Sequence, residues 1–405
     1  MAMNPTGQEA GRPQPQTSVE SPGGPFIRHA QPGRAPQYTI SGSTMGSIIT
    51  QPLVARPGYF RSLRVTHTLV ATGTAVTGAS GIAADAPYNL NSLIQLKDAF
   101  GTPLITCDGF TTSNIIQMVS GGFGVQNFTN CPSELASYIT PTYTSLTSGN
   151  PQGQFSYALP FEFAKGYGVI SAANASLLPT LQFNLNSGAS LFAGTATANF
   201  PTVNTTVDSD FYWLPEGVAV EPPGLGTTRQ FVQQQLNPTV PSSASARLQL
   251  PRLGGYLDSL TFIMRDSTGA RIDAWPNRIQ LYVDGVPLLD STASITTGTS
   301  TGYTGEIFDD MCIAYGLQAG TTAGAGAVSA SRPTGVLSIS RKTSLAQTSL
   351  GLLDTGETFL STNPGTLVEL NGAPWGAITN SPATITAVVG QVVPTGAIVQ
   401  GLPEV

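Results

Sequence analysis

Two histidines, three cysteines and a few acid pairs are the residues of this chain that could do chemistry. A transition-metal site needs clustered histidines with a carboxylate, and a Ser-His-Asp or Cys-His set needs a histidine beside its nucleophile. His29 lies in a Pro/Gly-rich stretch, and His67 sits in the alternating run LRVTHTL. That alternation puts His67 on the apolar face with Leu63, Val65 and Leu69, the place of a hydrogen-bonded core residue. The run LLDTG, Leu352 to Gly356, has the apolar-Asp-Thr-Gly pattern of an aspartic-protease loop. That chemistry needs two carboxylates sharing one proton, and Asp266 opens a DSTG that is one residue too long to be the second copy. Asp-Thr-Gly is also ordinary turn chemistry, with Asp354 capping and Gly356 at positive φ. Asp208/Asp210 and Asp309/Asp310 lack the oxygen-rich spacing of a calcium loop. Cys107, Cys131 and Cys312 are too few and too far apart for a disulfide framework or zinc ribbon. There is no phosphate-binding Gly-Lys loop, and the Asn174 sequon means little without a secretory route. No catalytic residue, metal or cofactor is assigned.

What must position such residues is a chain of unusual surface. Only 10% of its 405 residues are charged, against about 25% in an ordinary soluble protein. A compact 42 kDa monomer exposes roughly 15,000 Å², which so few charges must cover. Interface cores are depleted of charge, so the composition points to extensive self-association, with a neutral surface made largely of hydroxyl side chains as the alternative. Net charge is −6 with lysine only at 97, 165 and 342. This argues against direct nucleic-acid binding, which relies on clustered cations. The N-terminus lacks a signal-peptide pattern, and the most apolar tail segment, ATITAVVGQVVPTGAIV, is too interrupted to span a bilayer. Synthesis in the cytoplasm is expected.

Residues 1–36 are Pro-, Gly- and Gln-rich with little apolar periodicity and predict a flexible, extended arm. Beyond it, LQFNLN, RIQLYV, VLSIS and TITAVV alternate with period two between Gly/Pro/Asn/Ser clusters, the pattern of half-buried antiparallel strands. Two helices are predicted, Thr111 to Val119 and Gly305 to Gly316. A composition break at LPEGVAVEPPGLG suggests a boundary.

The chain also repeats itself. GYFRSL from Gly58 returns as GYLDSL from Gly255; Ile94-Gln95-Leu96 with Gly101-Thr102-Pro103-Leu104 returns as Ile279-Gln280-Leu281 with Gly285-Val286-Pro287-Leu288. Gly109-Phe110-Thr111 returns as Gly302-Tyr303-Thr304, each before a predicted helix, and Met118 and Met311 match within those helices. Matches in one order imply two copies of one β-rich domain. The predicted fold is all-β: two tandem eight-stranded jelly rolls, each with a short inserted helix, behind an extended N-terminal arm. The predicted divisions are the arm at 1–36, a first roll at 37–214, a linker at 215–226 and a second roll at 227–405. Duplicated jelly rolls also occur in metal-dependent bicupins, but one ordered histidine cannot supply two metal sites.

FRSLRVTHTLVATGTAVTG and APYNLNSLIQLKDAFGTPLITCDGFTTSNIIQMVSGG resemble the first roll of the tectivirus-type double jelly-roll major capsid proteins. Asn89-Leu90, Leu93 to Leu96 and the helix Asn114 to Val119 stand where that family places an Asn-Leu strand, a turn and a helix. DFYWLP resembles its closing strand, and LGGYLDSLTFIM an early strand of the second roll. The resemblance implies a homotrimeric subunit of an icosahedral virion shell around an internal membrane, with penton and minor capsid or membrane proteins as further partners. It also implies an arm facing the particle interior, where Arg12, Arg28 and Arg34 outnumber Glu9 and Glu20 and would meet lipid head groups or neighbouring subunits. The alternative reading is a spike, receptor-binding or lectin-like β-protein, although no shaft repeat is present.

The duplicated positions carry a geometric expectation. Gly58 and Gly255 serve the turn before an early strand. Tyr59 with Leu63, and Tyr256 with Leu260, share a strand face by even spacing, and that bulkier face is expected to point inward.

Overall fold

The computed structural model describes residues 24–83, 85–120, 142–144, 152–163, 166–174, 177–216, 218, 220–223, 225–236, 240, 246–250, 254–276, 278–292, 294–295, 303–304, 307–308, 311, 333–340, 360–362, 366–372 and 378–394. Among the described residues, sixteen strands build the two rolls, apart from shorter or separate pairs such as Thr77–Ile82 with Phe192–Ala198. The first eight are β1 (Gln31–Ser43), β2 (Ile48–Pro52), β3 (Tyr59–Val70), β4 (Asn91–Lys97), β5 (Pro103–Cys107), β6 (Gln152–Pro160), β7 (Thr180–Leu185) and β8 (Thr202–Trp213). The second eight are β9 (Thr227–Gln235), β10 (Ala246–Gln249), β11 (Tyr256–Arg265), β12 (Arg278–Val283), β13 (Val286–Thr292), β14 (Val336–Ser340), β15 (Val368–Gly372) and β16 (Thr384–Pro394).

Their pairing is the same in both halves. Strands β1-β8-β3-β6 form one sheet of the first roll and β2-β7-β4-β5 the other; β9-β16-β11-β14 and β10-β15-β12-β13 repeat this order eight strands later. The short strand Ile170–Ser171 pairs with the start of β3, and Leu360–Ser361 pairs with the start of β11. Two four-stranded antiparallel sheets face to face, in this interleaved order, make a jelly roll. The chain is a double jelly roll.

Period-two patterning accounts for the half-buried strands. In β7, Leu181, Phe183 and Leu185 are buried while Gln182 and Asn184 face outward, as alternation dictates. β11 and β14 differ. Ser259 to Met264 and Val336 to Ser338 are buried without alternation, because further chain covers their second face. Part of that cover is Met311, whose Sδ accepts from the Ser338 N–H at 3.3 Å.

The first predicted helix is present as a π-helical turn, Thr111–Ile116, continuing into Gln117–Ser120. Asp108 caps it, its Oδ1 accepting from Thr111 N–H at 2.7 Å. Gln117 then pins it to β6, donating to Ala158 O at 2.6 Å and accepting from Ala158 N–H at 3.2 Å. Of the second predicted helix, Ile307, Phe308 and Met311 are helical and buried, and its other residues lie outside the described ones. Each helix falls between the fifth and sixth strand of its roll.

The arm is shorter than composition suggests. Gly24–His29 is a helix and Gln31–Ser43 is β1, paired with β8, so residues 24–36 belong to the folded roll. Proline and glycine are tolerated there because β1 lies at the sheet's edge, where one row of amides needs no partner. Arg12 and the rest of residues 1–23 lie outside the described residues.

The two rolls are joined edge to edge. β5 pairs in parallel with β9 (Phe231 with Ile105, Val232 with Thr106), making one sheet of half the first roll and half the second. Gln233 extends the seam, accepting from Asp108 N–H at 2.7 Å and donating to Asp108 Oδ2 at 2.8 Å.

Candidate functional site

The repeated hexapeptide marks the same structural device in both rolls. Gly58 takes φ +106°, and a Cβ there would lie 1.9 Å from the Tyr212 carbonyl oxygen; at Gly255 a Cβ would lie 2.6 Å from the Val392 carbonyl oxygen. Tyr212 and Val392 are equivalent, each pairing with the tyrosine that follows the glycine. Gly58 O accepts from Ala172 N–H at 2.9 Å, and Gly255 O from Thr362 N–H at 3.0 Å. Each glycine lets an early strand approach the closing strand more closely than a side chain permits.

The expected inward face of the tyrosines is corrected. Phe60, Ser62 and Leu63 are buried, as are Leu257, Ser259 and Leu260, whereas Tyr59 is partly exposed and Tyr256 is 50% exposed. The cause is a β-bulge. Phe60 pairs with Phe211 and Ser62 with Asp210, leaving Arg61 extra; Leu257 pairs with Gln391 and Ser259 with Gly390, leaving Asp258 extra. One extra residue shifts the alternation by one, so each tyrosine and its leucine face opposite ways. Both bulge residues are re-aimed into ion pairs, Arg61 with Glu162 at 2.7 Å and Asp258 with the buried Arg229.

Around the first bulge lies a socket. Phe26, in the N-terminal helix, is 1% exposed and meets Tyr59 and Tyr212 edge-on, with ring centroids 5.7 and 5.4 Å away. Glu162 stiffens the wall, accepting from Tyr212 OH at 3.0 Å and from Gly166 N–H at 2.7 Å. The Arg61 guanidinium lies 4.3 Å from the Tyr212 ring centroid. Of the three arm arginines, Arg34 in β1 binds Asp210 at 2.8 Å, a carboxylate also held by Arg64 at 2.9 Å and Ser62 at 3.1 Å. Burial alone would raise the Asp210 pKa, but the two guanidiniums outweigh it and hold it low. Arg28 is exposed near the end of the first helix.

His67 lies fully buried inside the first roll. Its Nδ1 is 2.9 Å from Thr205 Oγ1; Nε2 is 2.9 Å from Tyr157 OH and 3.1 Å from Asn91 Nδ2. The Asn91 Nδ2 that faces it can only donate, so Nε2 accepts and Nδ1–H donates to Thr205. Burial pushes its pKa down from 6.5 to about 3. The unfolded chain therefore binds this proton between those values and the native chain does not, so stability falls as pH drops through that window. At about pH 4.5 the loss from His67 should be about 2–3 kcal/mol. Denaturant unfolding at pH 7.5 and 4.5 checks this: His67→Gln should lose clearly less stability on acidification than the parent. Equal losses would rule His67 out as the source. Among the described residues, no three His, Cys, Asp or Glu side chains gather to hold a metal.

A clamp ties the rolls together beyond the β5–β9 seam. Asp85 of the first roll takes ion pairs from Arg265 and Arg271 of the second, the latter at 2.8 Å. The same guanidiniums lie over Phe110, 5.5 and 4.4 Å from its ring centroid. Arg229 of β9 also donates to Val119 O in the first roll's helix, at 3.3 Å. The sequence pattern did not single out Asp85, Arg265, Arg271 or Phe26; a lone aromatic in a Pro/Gly stretch was the only signal for the last. The Asp354 turn, Asp309/Asp310, Cys131 and Cys312 lie outside the described residues.

No family model matches the chain, and no curated protein sequence matches it. Solved structures do. The chain is similar to a chain of Sulfolobus Turreted Icosahedral Virus, with a TM-score of 0.59 and 14% identity over 92% of this chain and 94% of that one. It is similar to the Faustovirus major capsid protein, with a TM-score of 0.56 and 8% identity over 90% of each chain. It is also similar to PBCV-1 VP54, with a TM-score of 0.55 and 11% identity over 90% of this chain and 93% of that one. At such identity the likeness is one of fold.

Proposed function

We propose that this chain is the major capsid protein of a virus, a structural shell subunit and not an enzyme. One observation carries the reading: this chain, with its two isomorphic rolls, matches nearly the full length of the Faustovirus major capsid protein. Low charge supports it, because a subunit surrounded by neighbours buries much of its surface. In this reading three copies present six rolls as a pseudo-hexagonal capsomer. Such capsomers tile an icosahedral shell of the tectivirus-like type around an internal membrane. Their partners are neighbouring trimers, penton proteins and minor capsid or membrane proteins. The working location is the virion, after synthesis in the host cytoplasm, and the genome is not contacted directly.

Residues 1–23, with Arg12, and the exposed Arg28 face the particle interior in this proposal. Arg34 contributes instead through its ion pair in the sheet. The few arm cations are worth about 1 kcal/mol each at an anionic surface, so they assist docking and do not anchor.

Native mass spectrometry and negative-stain microscopy test this together. The full chain and a chain beginning at Gly24 should both give trimers with a six-cornered outline, since Phe26 and its socket are retained; only the full chain should assemble shells. A chain beginning at Gln31 loses Phe26 and should be measurably less stable. A monomeric full chain at micromolar concentration, or elongated rods, would refute the shell reading.

A further inference from the structure

The duplication relates two strand edges that the single chain leaves apart. Within the chain, the β5 edge of the first roll is covered by β9 of the second. The second roll's copy of β5 is β13, and the first roll's copy of β9 is β1. Among the described residues, β13 pairs only with β12 and β1 only with β8. Both are edges of the kind to which another chain adds a strand.

Burial at equivalent positions differs in the way a missing partner would cause. Leu104 on β5 is 1% exposed beneath the seam, while its repeat, Leu288 on β13, is 42% exposed and Val286 beside it is 65% exposed. On the other edge, Phe231 of β9 is fully buried. Its counterpart is Arg34 of β1, since both strands pair with closing-strand residues that face the equivalent serines, Ser62 and Ser259. Arg34 is exposed. Apolar side chains on a long bare edge are an aggregation hazard in a monomer, and they are accounted for if a second copy lies there.

We propose that β13 of one copy pairs in parallel with β1 of the next, repeating between chains the β5–β9 seam found within one chain. This deepens the shell reading and rests on it. Leu96 pairs with Ile105 and Leu281 with Leu289, so the repeated register sets Leu289 against Arg34 and Asp290 against Ala35 of the next copy. Asp290, already beside Arg278, then lies next to the Arg34 strand position, with opposite charge. Such a contact is heterologous. It closes into a ring when the rotation per copy closes, and here every roll edge in the ring would be used alike.

The test places cysteines at one matched pair, Ala35→Cys and Asp290→Cys, against the parent chain with its own cysteines. Facing residues of neighbouring strands fall within disulfide reach. Mixing the two single variants before assembly and oxidising should give reducible linkage between chains. In parallel, Leu288→Lys should leave the far-ultraviolet dichroism of the fold unchanged and weaken trimer formation at least about tenfold, as a charge set into an interface core does. Trimers that form without this linkage, linkage confined to one chain in the double variant, or a Leu288→Lys trimer as tight as the parent would overturn the proposed interface while leaving the shell reading standing. A parent chain that is monomeric would overturn both.

Discussion

Asp85→Ala should destabilise the chain by about 3 kcal/mol and make the two rolls unfold separately. Its carboxylate is the shared anion for Arg265 and Arg271, and the three side chains are 11%, 21% and 19% exposed. Removing one partner of a largely buried ion pair leaves uncompensated charge, at a cost of about 3–5 kcal/mol; the partial exposure here favours the lower end. Two like charges would then crowd one aromatic face, that of Phe110. Denaturant unfolding followed by tryptophan fluorescence is the measurement, since Trp275 lies in the second roll and Trp213 in the first. A double-mutant cycle with Arg271→Met should show coupling of at least about 1 kcal/mol. A cost below about 1 kcal/mol, with one cooperative transition retained, would show that the β5–β9 seam alone unites the rolls.

Gly58→Ala should be as damaging, and more so than Gly255→Ala. At Gly58 the added Cβ meets backbone at 1.9 Å and must adopt φ +106°; at Gly255 the close approach is 2.6 Å and φ is not positive. Neither neighbour is the flexible end of a side chain, so strands must part. Strained backbone costs about 1–3 kcal/mol, and the displaced β3–β8 pairing adds to it, for about 3 kcal/mol or more at Gly58. Because Tyr212 walls the Phe26 socket, this variant should also release the N-terminal helix, read as faster proteolysis ahead of β1. If Gly255→Ala proved the costlier change, the account of Gly58 by positive φ would be wrong.

Much of this architecture was written in the residues themselves. Alternation in LQFNLN and RIQLYV forces strands with one apolar face, because side-chain direction in a strand has period two. The recurrence of GYFRSL, Ile94-Gln95-Leu96 and Gly101 to Leu104 carried the duplication, and the scarcity of histidine removed most catalytic readings. These are local properties, settled by chain geometry and composition before any contact forms. What the tertiary structure decided was of another kind. The tyrosine of the repeat faces away from its leucine because a bulge at Arg61 and at Asp258 inserts one residue, and a bulge exists only where two strands disagree in count. Phe26 became an anchor, and residues 24–36 part of the roll, because Tyr59, Tyr212 and Glu162 converge from distant strands to make a socket. Asp85 found Arg265 and Arg271 across some 180 residues. Period and composition carry no record of which distant segments will meet, because that choice is made by the whole core packing at once.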